Sequence, residues 1–182
     1  LNLLRGHPEI DTIILIARWT LYAEATPYRQ ESGEPLLLRN RQREARTVAE
    51  NKEIFREALQ QTLAALETTE RRLLVLGPVP EIGHLVPNSL AKATHLERDV
   101  ELRLRTSDYL KRSAFVREAF TQAHAQHGFG YRPLEEYFCD ARWCQVEDQG
   151  TPLYSDDDHL SSIGANRLIP IFRQYFESSS GE

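Results

Sequence analysis

Asp11-Thr12-Ile13-Ile14-Leu15-Ile16-Ala17 is an unbroken, largely β-branched apolar run set behind a polar stretch, the pattern of a strand buried on both faces. It predicts a central strand of a parallel sheet. Within residues 45–66, Val48, Ile54, Phe55, Ala58, Leu59, Leu63 and Leu66 recur at helical spacing with no Gly or Pro among them, so a helix is expected there. A second apolar run, Leu73-Leu74-Val75-Leu76, ends at Gly77 and Pro78 and reads as the next strand. Strand, helix and strand in this order imply parallel pairing. The expected fold class is α/β, a three-layer α/β/α arrangement around a mainly parallel sheet.

Further along the chain, residues 77–87 carry Pro78, Pro80 and Pro87 just past the C-terminal end of a strand, where open α/β sheets bind ligands. They are expected to form a loop lining a pocket. Tyr109, Phe115, Val116, Ala119, Phe120 and Ala123 mark another helix, stopping near Gly128. Residues 129–138 are expected to be partly extended and residues 140–151 to form a loop. The spacing of Ile163, Leu168, Ile171, Phe172 and Phe176 predicts one helix over 161–176, and residues 177–182 read as a disordered tail. One domain over residues 1–176 is the expectation.

Composition narrows the functional classes. The 182 residues are 41% hydrophobic and 27% charged, which excludes a disordered or fibrous chain. The longest apolar run, residues 13–17, is far short of the roughly 20 residues of a membrane-spanning helix. A formal net charge of -5 offers no global field for nucleic acid, so nucleic acid is not an expected partner. The first residue is Leu and no Met is present, which suggests a fragment or a processed chain. Cys139 and Cys144 enclose four residues in a stretch that reads as a turn. A disulfide there would imply an oxidising compartment, a metal site would need further ligands, and two reduced thiols are the third reading. The disulfide is preferred.

The densest chemistry lies in Tyr154-Ser155-Asp156-Asp157-Asp158-His159-Leu160-Ser161. A carboxylate accepting a hydrogen bond from imidazole Nδ1 fixes the tautomer and leaves Nε2 to take a proton, and Asp156 and His159 have compatible spacing. The plainer reading is that Asp157 and Asp158 start a helix and oppose its dipole. A divalent-metal loop would need a longer oxygen-ligand pattern and a Gly turn, so no metal and no cofactor is expected.

Asp156-Asp157-Asp158-His159, between Pro152-Leu153-Tyr154-Ser155 and Leu160-Ser161-Ser162-Ile163-Gly164-Ala165, resembles the Asp-x-x-His motif that closes SGNH (GDSL-like) hydrolases and acyltransferases. Residues 14–22, residues 75–81 and the Cys139/Cys144 loop extend the likeness to the SGNH domain fused to acyltransferase-3 membrane proteins. The resemblance implies an SGNH hydrolase-like, flavodoxin-like topology whose N-terminal strand or strands are missing from this chain. It also implies a periplasmic or extracytoplasmic domain attached to the inner membrane through its parent. There it would move acyl groups, usually acetyl, from a donor delivered by the membrane domain to hydroxyls of a surface polysaccharide.

Carried over by residue, the resemblance makes His159 the general base and Asp156 its orienting partner. The family's Gly-Asp-Ser nucleophile motif occurs nowhere in these 182 residues, so the chain alone is expected to be inactive. Arg18 and Trp19 stand where typical members place an oxyanion-hole Asn. Arg18 could donate to an oxyanion or sugar and Trp19 could stack on a pyranose, against the plainer reading of a strand-end cation and a core aromatic. Tyr22 is a weaker candidate of the same kind. Gly77, Pro78 and Pro80 resemble the loop that shapes one wall of the site, and His84 lies in that loop. A carbohydrate esterase using the same residues with water, or a non-catalytic glycan-binding module, are the alternatives.

Overall fold

A computed structural model describes residues 2–29, 33–96 and 102–177. In chain order the elements are α1 (Asn2–Gly6), β1 (Thr12–Leu15), α2 (Trp19–Glu24), α3 (Val48–Glu67), β2 (Arg72–Leu76), α4 (Val86–His95), β3 (Leu104–Arg105) and α5 (Thr106–His127). They continue with β4 (Gly130–Arg132), α6 (Glu135–Phe138), β5 (Trp143–Cys144), β6 (Glu147–Asp148), β7 (Thr151–Pro152), α7 (Ser162–Asn166) and α8 (Ile169–Glu177). This is a mixed α/β fold with a parallel sheet. The chain gathers into two compact units, one drawn from Leu1–Pro27, Gly33–Pro78 and Arg112–Leu134 and the other from Tyr28–Ser32, Val79–Lys111 and Glu135–Glu182.

The first unit holds the parallel sheet, in the order β1-β2-β4. Ile13 pairs with Leu73 and Leu15 with Val75, while Leu74 faces Gly130 and Leu76 faces Arg132. The sheet places β2 in the centre, where Leu73, Leu74, Val75 and Leu76 are all buried. That corrects the expectation for residues 11–17. Its strand is the four-residue β1, bonded on one side only among the described residues, with every position half-buried. An apolar run reports burial but not its place in the pairing order, which depends on contacts far away in sequence.

Helix α3 begins where Thr47 Oγ1 accepts from the Glu50 backbone N–H, and the Glu50 carboxylate accepts from the Arg46 N–H. Its Phe55, Leu59 and Leu63 pack with Val116, Ala119, Phe120 and Ala123 of α5 and with Leu73, Val75 and Tyr131 of the sheet. Asn51 is the polar member of this buried face. Its Nδ2 donates to the carbonyls of Tyr22 and Ala23, and its Oδ1 accepts from the Leu38 N–H at 2.7 Å. A buried amide with its partners in place ties α2, α3 and the 36–38 segment together without leaving a polar group unsatisfied.

The second unit packs Ile82, Val86, Leu104, Tyr109, Cys144, Val146, Leu153 and Tyr154 around two small antiparallel pairs, β3 with β5 and β6 with β7. The β6–β7 connection is Gln149-Gly150 with φ of 49° and 81°, a two-residue turn with both central residues left-handed. Cys139 and Cys144 form a disulfide across the segment that joins α6 to β5. Two further expectations are corrected here. The loop predicted over 77–87 ends at Leu85, because Pro87 lies in the first turn of α4, where a missing N–H costs nothing. The single helix predicted over 161–176 is two, α7 and α8. Pro170 has no N–H to reach the Asn166 carbonyl, so one ladder cannot run through. Glu177 ends α8, and residues 178–182 of the predicted tail lie outside the described residues.

Gly164 explains how α7 meets the core of this unit. A Cβ built there would lie 2.0 Å from the Leu153 carbonyl oxygen and 3.2 Å from Leu160 Cδ2. Backbone rather than a flexible side chain blocks it, so Gly164→Ala is expected to destabilise the fold by about 3 kcal/mol, as forced overpacking does. Urea denaturation of the two proteins checks this, and equal midpoints would contradict the close approach.

Candidate functional site

The turn that carries the Asp-x-x-His pattern is built from its own backbone. Tyr154 and Leu160 form an isolated antiparallel bridge, and the Ser155 N–H donates to the His159 carbonyl at 2.8 Å. Inside the turn, Asp156 Oδ1 accepts from the backbone N–H of Asp158 at 3.0 Å and of His159 at 2.7 Å. Its Oδ2 meets His159 Nδ1 at 2.8 Å. Two strands of contact fix the turn in place. The Ile82 N–H donates to the Asp157 carbonyl and the Val86 N–H to the Asp156 carbonyl, at 2.8 and 3.0 Å. On the far side, Ser161 donates through its N–H to Leu153 O and through Oγ to Pro152 O, while its Oγ accepts from the Gly164 N–H and caps α7.

A carboxylate at Nδ1 selects the tautomer with its proton there, so the unprotonated nitrogen is Nε2. Nε2 carries no hydrogen bond among the described residues, and the His159 side chain is 59% exposed. Burial would raise the Asp156 carboxyl, but the N–H groups of Asp158 and His159 together with the imidazole outweigh it and hold the carboxyl below its usual range. The chemical capacity of this arrangement is to take a proton at Nε2 while Asp156 stabilises the imidazolium.

Asp158 is the residue that sequence reasoning passed over. The plainer reading gave it to the start of a helix, yet α7 begins at Ser162 with Ser161 as its cap. Its side chain instead turns inward, 4% exposed, with Oδ1 3.0 Å from His159 Nδ1. Nothing in a run of three identical acids marks which one is turned in. Asp156, Asp158 and His159 each present one ligand atom within 4.8 Å of the others, a separation a divalent cation would accept. In the tautomer that donates from Nδ1 to Asp156, that nitrogen is spent on the hydrogen bond and the lone pair lies on Nε2.

The other predicted residues divide between the units. Arg18, Trp19, Tyr22 and Gly77 belong to the first, and Pro80, His84, Asp156, His159 and the disulfide to the second. Arg18 is half-buried at the start of α2. Trp19 donates from Nε1 to the Leu76 carbonyl at 2.9 Å and sets its ring edge-on to Phe120, so it packs on the core of its unit. Tyr22 is 42% exposed. The Gly77 N–H donates to Arg132 O, which ties the end of β2 to the end of β4. Pro80 is buried. His84 is half-buried, and desolvation, helped by Arg29 and opposed by Asp157, lowers its proton affinity.

A family profile described as "SGNH domain (fused to AT3 domains)" matches residues 1–174. The chain belongs to this family, and it is an acyltransferase-associated domain. Among solved structures, the periplasmic domain of a lipopolysaccharide acetyltransferase from Salmonella ser. Paratyphi A is similar, with 14% sequence identity, 93% of this chain and 86% of that chain covered, and a TM-score of 0.46. A comparison with curated protein sequences found no match.

The depressed carboxyl has a stability consequence. A folded-state pKa below the ordinary 3.8 means that the contribution of Asp156 is complete above that value and is lost as the pH falls through the lower folded one. The melting temperature is therefore expected to fall more steeply between about pH 5 and about pH 2 in the unmodified protein than in Asp156→Asn. Parallel curves would show that the carboxylate adds nothing to the folded state.

Proposed function

We propose that His159 is the general base, and Asp156 its orienting carboxylate, of an SGNH domain that esterifies hydroxyls of a cell-surface polysaccharide, with acetyl as the acyl group. The observation that carries this reading is the 2.8 Å contact between His159 Nδ1 and Asp156 Oδ2, made from a turn anchored on both sides, with Nε2 left to act. The family match over residues 1–174 supports it and supports reading both compact units as parts of one SGNH domain.

The chemistry proposed has two halves. His159 Nε2 removes the proton of a serine hydroxyl, whose oxygen attacks the acyl carbonyl of the donor, and the same nitrogen returns the proton to the donor's leaving group. In the second half Nε2 takes a proton from the sugar hydroxyl. The sugar oxygen attacks the acyl-serine, and the serine oxygen leaves with the proton. Because Gly-Asp-Ser is absent from these 182 residues, the proposal takes the serine from outside them, and the chain alone is expected not to transfer acyl groups. Within the unit that holds His159, His84 is the candidate for contacting the oxyanion or the sugar, with Pro80 as a candidate wall.

The acyl donor is proposed to arrive through the fused AT3 domain, which the family description supports. A disulfide between Cys139 and Cys144 supports a periplasmic placement, since such bonds persist in oxidising compartments. No helix among the described residues is long and apolar enough to cross a membrane, so attachment is assigned to the rest of the parent protein. In the full-length parent, His159→Ala is expected to lower acylation of the polysaccharide by roughly 10²–10⁴-fold, the worth of a positioned general base. Mass spectrometry of the polysaccharide reads the outcome, and acylation within twofold of the unmodified parent would remove His159 from the mechanism.

A further inference from the structure

Residues 102–106 and 139–145 hold three arginines and one aspartate, in a chain whose formal net charge is -5. Across the pair β3–β5, Leu104 meets Cys144 and both are buried, while Arg105 meets Trp143. Side chains alternate along a strand, so Arg105 and Trp143 share the outward face. The guanidinium carbon of Arg105 lies 4.9 Å from the centre of the Trp143 ring, and that of Arg103 lies 4.8 Å from it. Arg105 is exposed, as is Arg142 next to Trp143 in the chain, and the indole itself is half-buried.

The loop that presents Trp143 is fixed at several points. The Cys139–Cys144 disulfide closes it, and Asp140 Oδ1 accepts from the N–H groups of Arg142 and Trp143 at 2.7 and 2.8 Å. Thr106 donates from its N–H to the Arg142 carbonyl at 3.0 Å and from Oγ1 to the Asp140 carbonyl at 2.9 Å. The one carboxylate of these two stretches therefore spends Oδ1 on its own backbone. Stacking on an aromatic face leaves the in-plane N–H groups of a guanidinium unspent, and those groups meet a carboxylate or phosphate two at a time. A guanidinium already held on a rigid ring loses less freedom when an anion arrives than one on a mobile side chain.

From this geometry we infer that the outward face of β3–β5 is a binding site for a saccharide carrying a carboxylate or phosphate group. The N–H groups of Arg105 take the anion, Trp143 holds the guanidinium in place, and Arg142 adds positive charge beside them. The site belongs to the unit that also holds His159. The inference rests on the proposed function for its choice of a sugar, and it deepens that reading by giving the polysaccharide a negative charge. A lipid surface is the other anionic partner to weigh, and the make-up of the patch speaks against it. Within residues 102–106 and 139–145 no large apolar side chain is exposed, so the patch offers nothing to acyl chains.

The test is nitrogen-15 nuclear magnetic resonance of the isotope-labelled 182-residue chain, with the indole N–H of Trp143 as reporter and that of Trp19, bonded to the Leu76 carbonyl, as internal control. The probes are tetragalacturonate, mannose 6-phosphate, uncharged maltotetraose and vesicles of phosphatidylglycerol. Tetragalacturonate or mannose 6-phosphate is expected to shift the Trp143 signal saturably, while maltotetraose leaves it in place. Arg105→Gln is expected to weaken that binding about tenfold, the worth of a hydrogen bond to a charged group, and the distant Arg46→Gln by less than about twofold. A signal that neither acidic sugar moves overturns the inference, as does one that maltotetraose moves equally or that only the vesicles affect. Binding in Arg105→Gln no weaker than in Arg46→Gln overturns it too. Should Arg105→Gln fail to fold, the contrast between the acidic sugars and maltotetraose in the unmodified protein decides. These readouts do not use acylation. A full-length parent that keeps acylating with His159→Ala would defeat the proposed function, and the binding result would still stand or fall on its own.

Discussion

A carboxylate can accept several hydrogen bonds, and Asp156 places three of them inside one turn: two on backbone N–H groups and one on the imidazole three residues ahead. The consequence is that ring and backbone are oriented by the same atoms. A histidine on an exposed turn would otherwise sample several rotamers, and a base must be held where its nitrogen meets the proton. The neighbouring carbonyls of Asp156 and Asp157 are occupied in turn by N–H groups of Val86 and Ile82, two residues that are fully buried. The turn is thereby fastened to the core of its unit through main-chain bonds, which do not depend on side-chain identity.

Downstream of the histidine the sequence Leu160-Ser161-Ser162-Ile163-Gly164 has the same purpose. Ser161 grips Pro152 and Leu153 and caps α7, and Gly164 lets α7 come within van der Waals reach of the Leu153 backbone. Asp156, His159, Ser161 and Gly164 therefore each have a mechanical reason for their type. The first unit obeys a parallel rule, with the buried Asn51 amide answering three backbone groups that no strand or helix would satisfy.

Much of this was legible in the sequence, and for definite reasons. The helices α3 and α5 announce themselves through apolar residues at helical spacing that are mostly buried, and the strand β2 through a continuous buried apolar run. The Asp156–His159 pair was legible because the contact is local, three residues apart. What could not be read depends on distance or on geometry finer than residue type. Among the described residues β1 lies at the edge of its sheet, a place set by pairing at long range. Helix α2 has only six residues and no side-chain cap, so it leaves little periodic signal. Pro87 reads as a breaker although it sits in the first turn of α4, and Pro170 was hidden inside an apolar spacing that continues past it. The inward turn of Asp158 is invisible because its neighbours are the same residue.

The account stands on the protonation of one imidazole. The most direct measurement is the pair of nitrogen-15 shifts of His159 in the neutral ring, taken above its titration. Free histidine favours the Nε2–H form. The structure predicts the opposite, with the proton on Nδ1 facing Asp156 and Nε2 unprotonated, and a ring found mainly as the Nε2–H tautomer would contradict the claim that Asp156 presents His159 as a base.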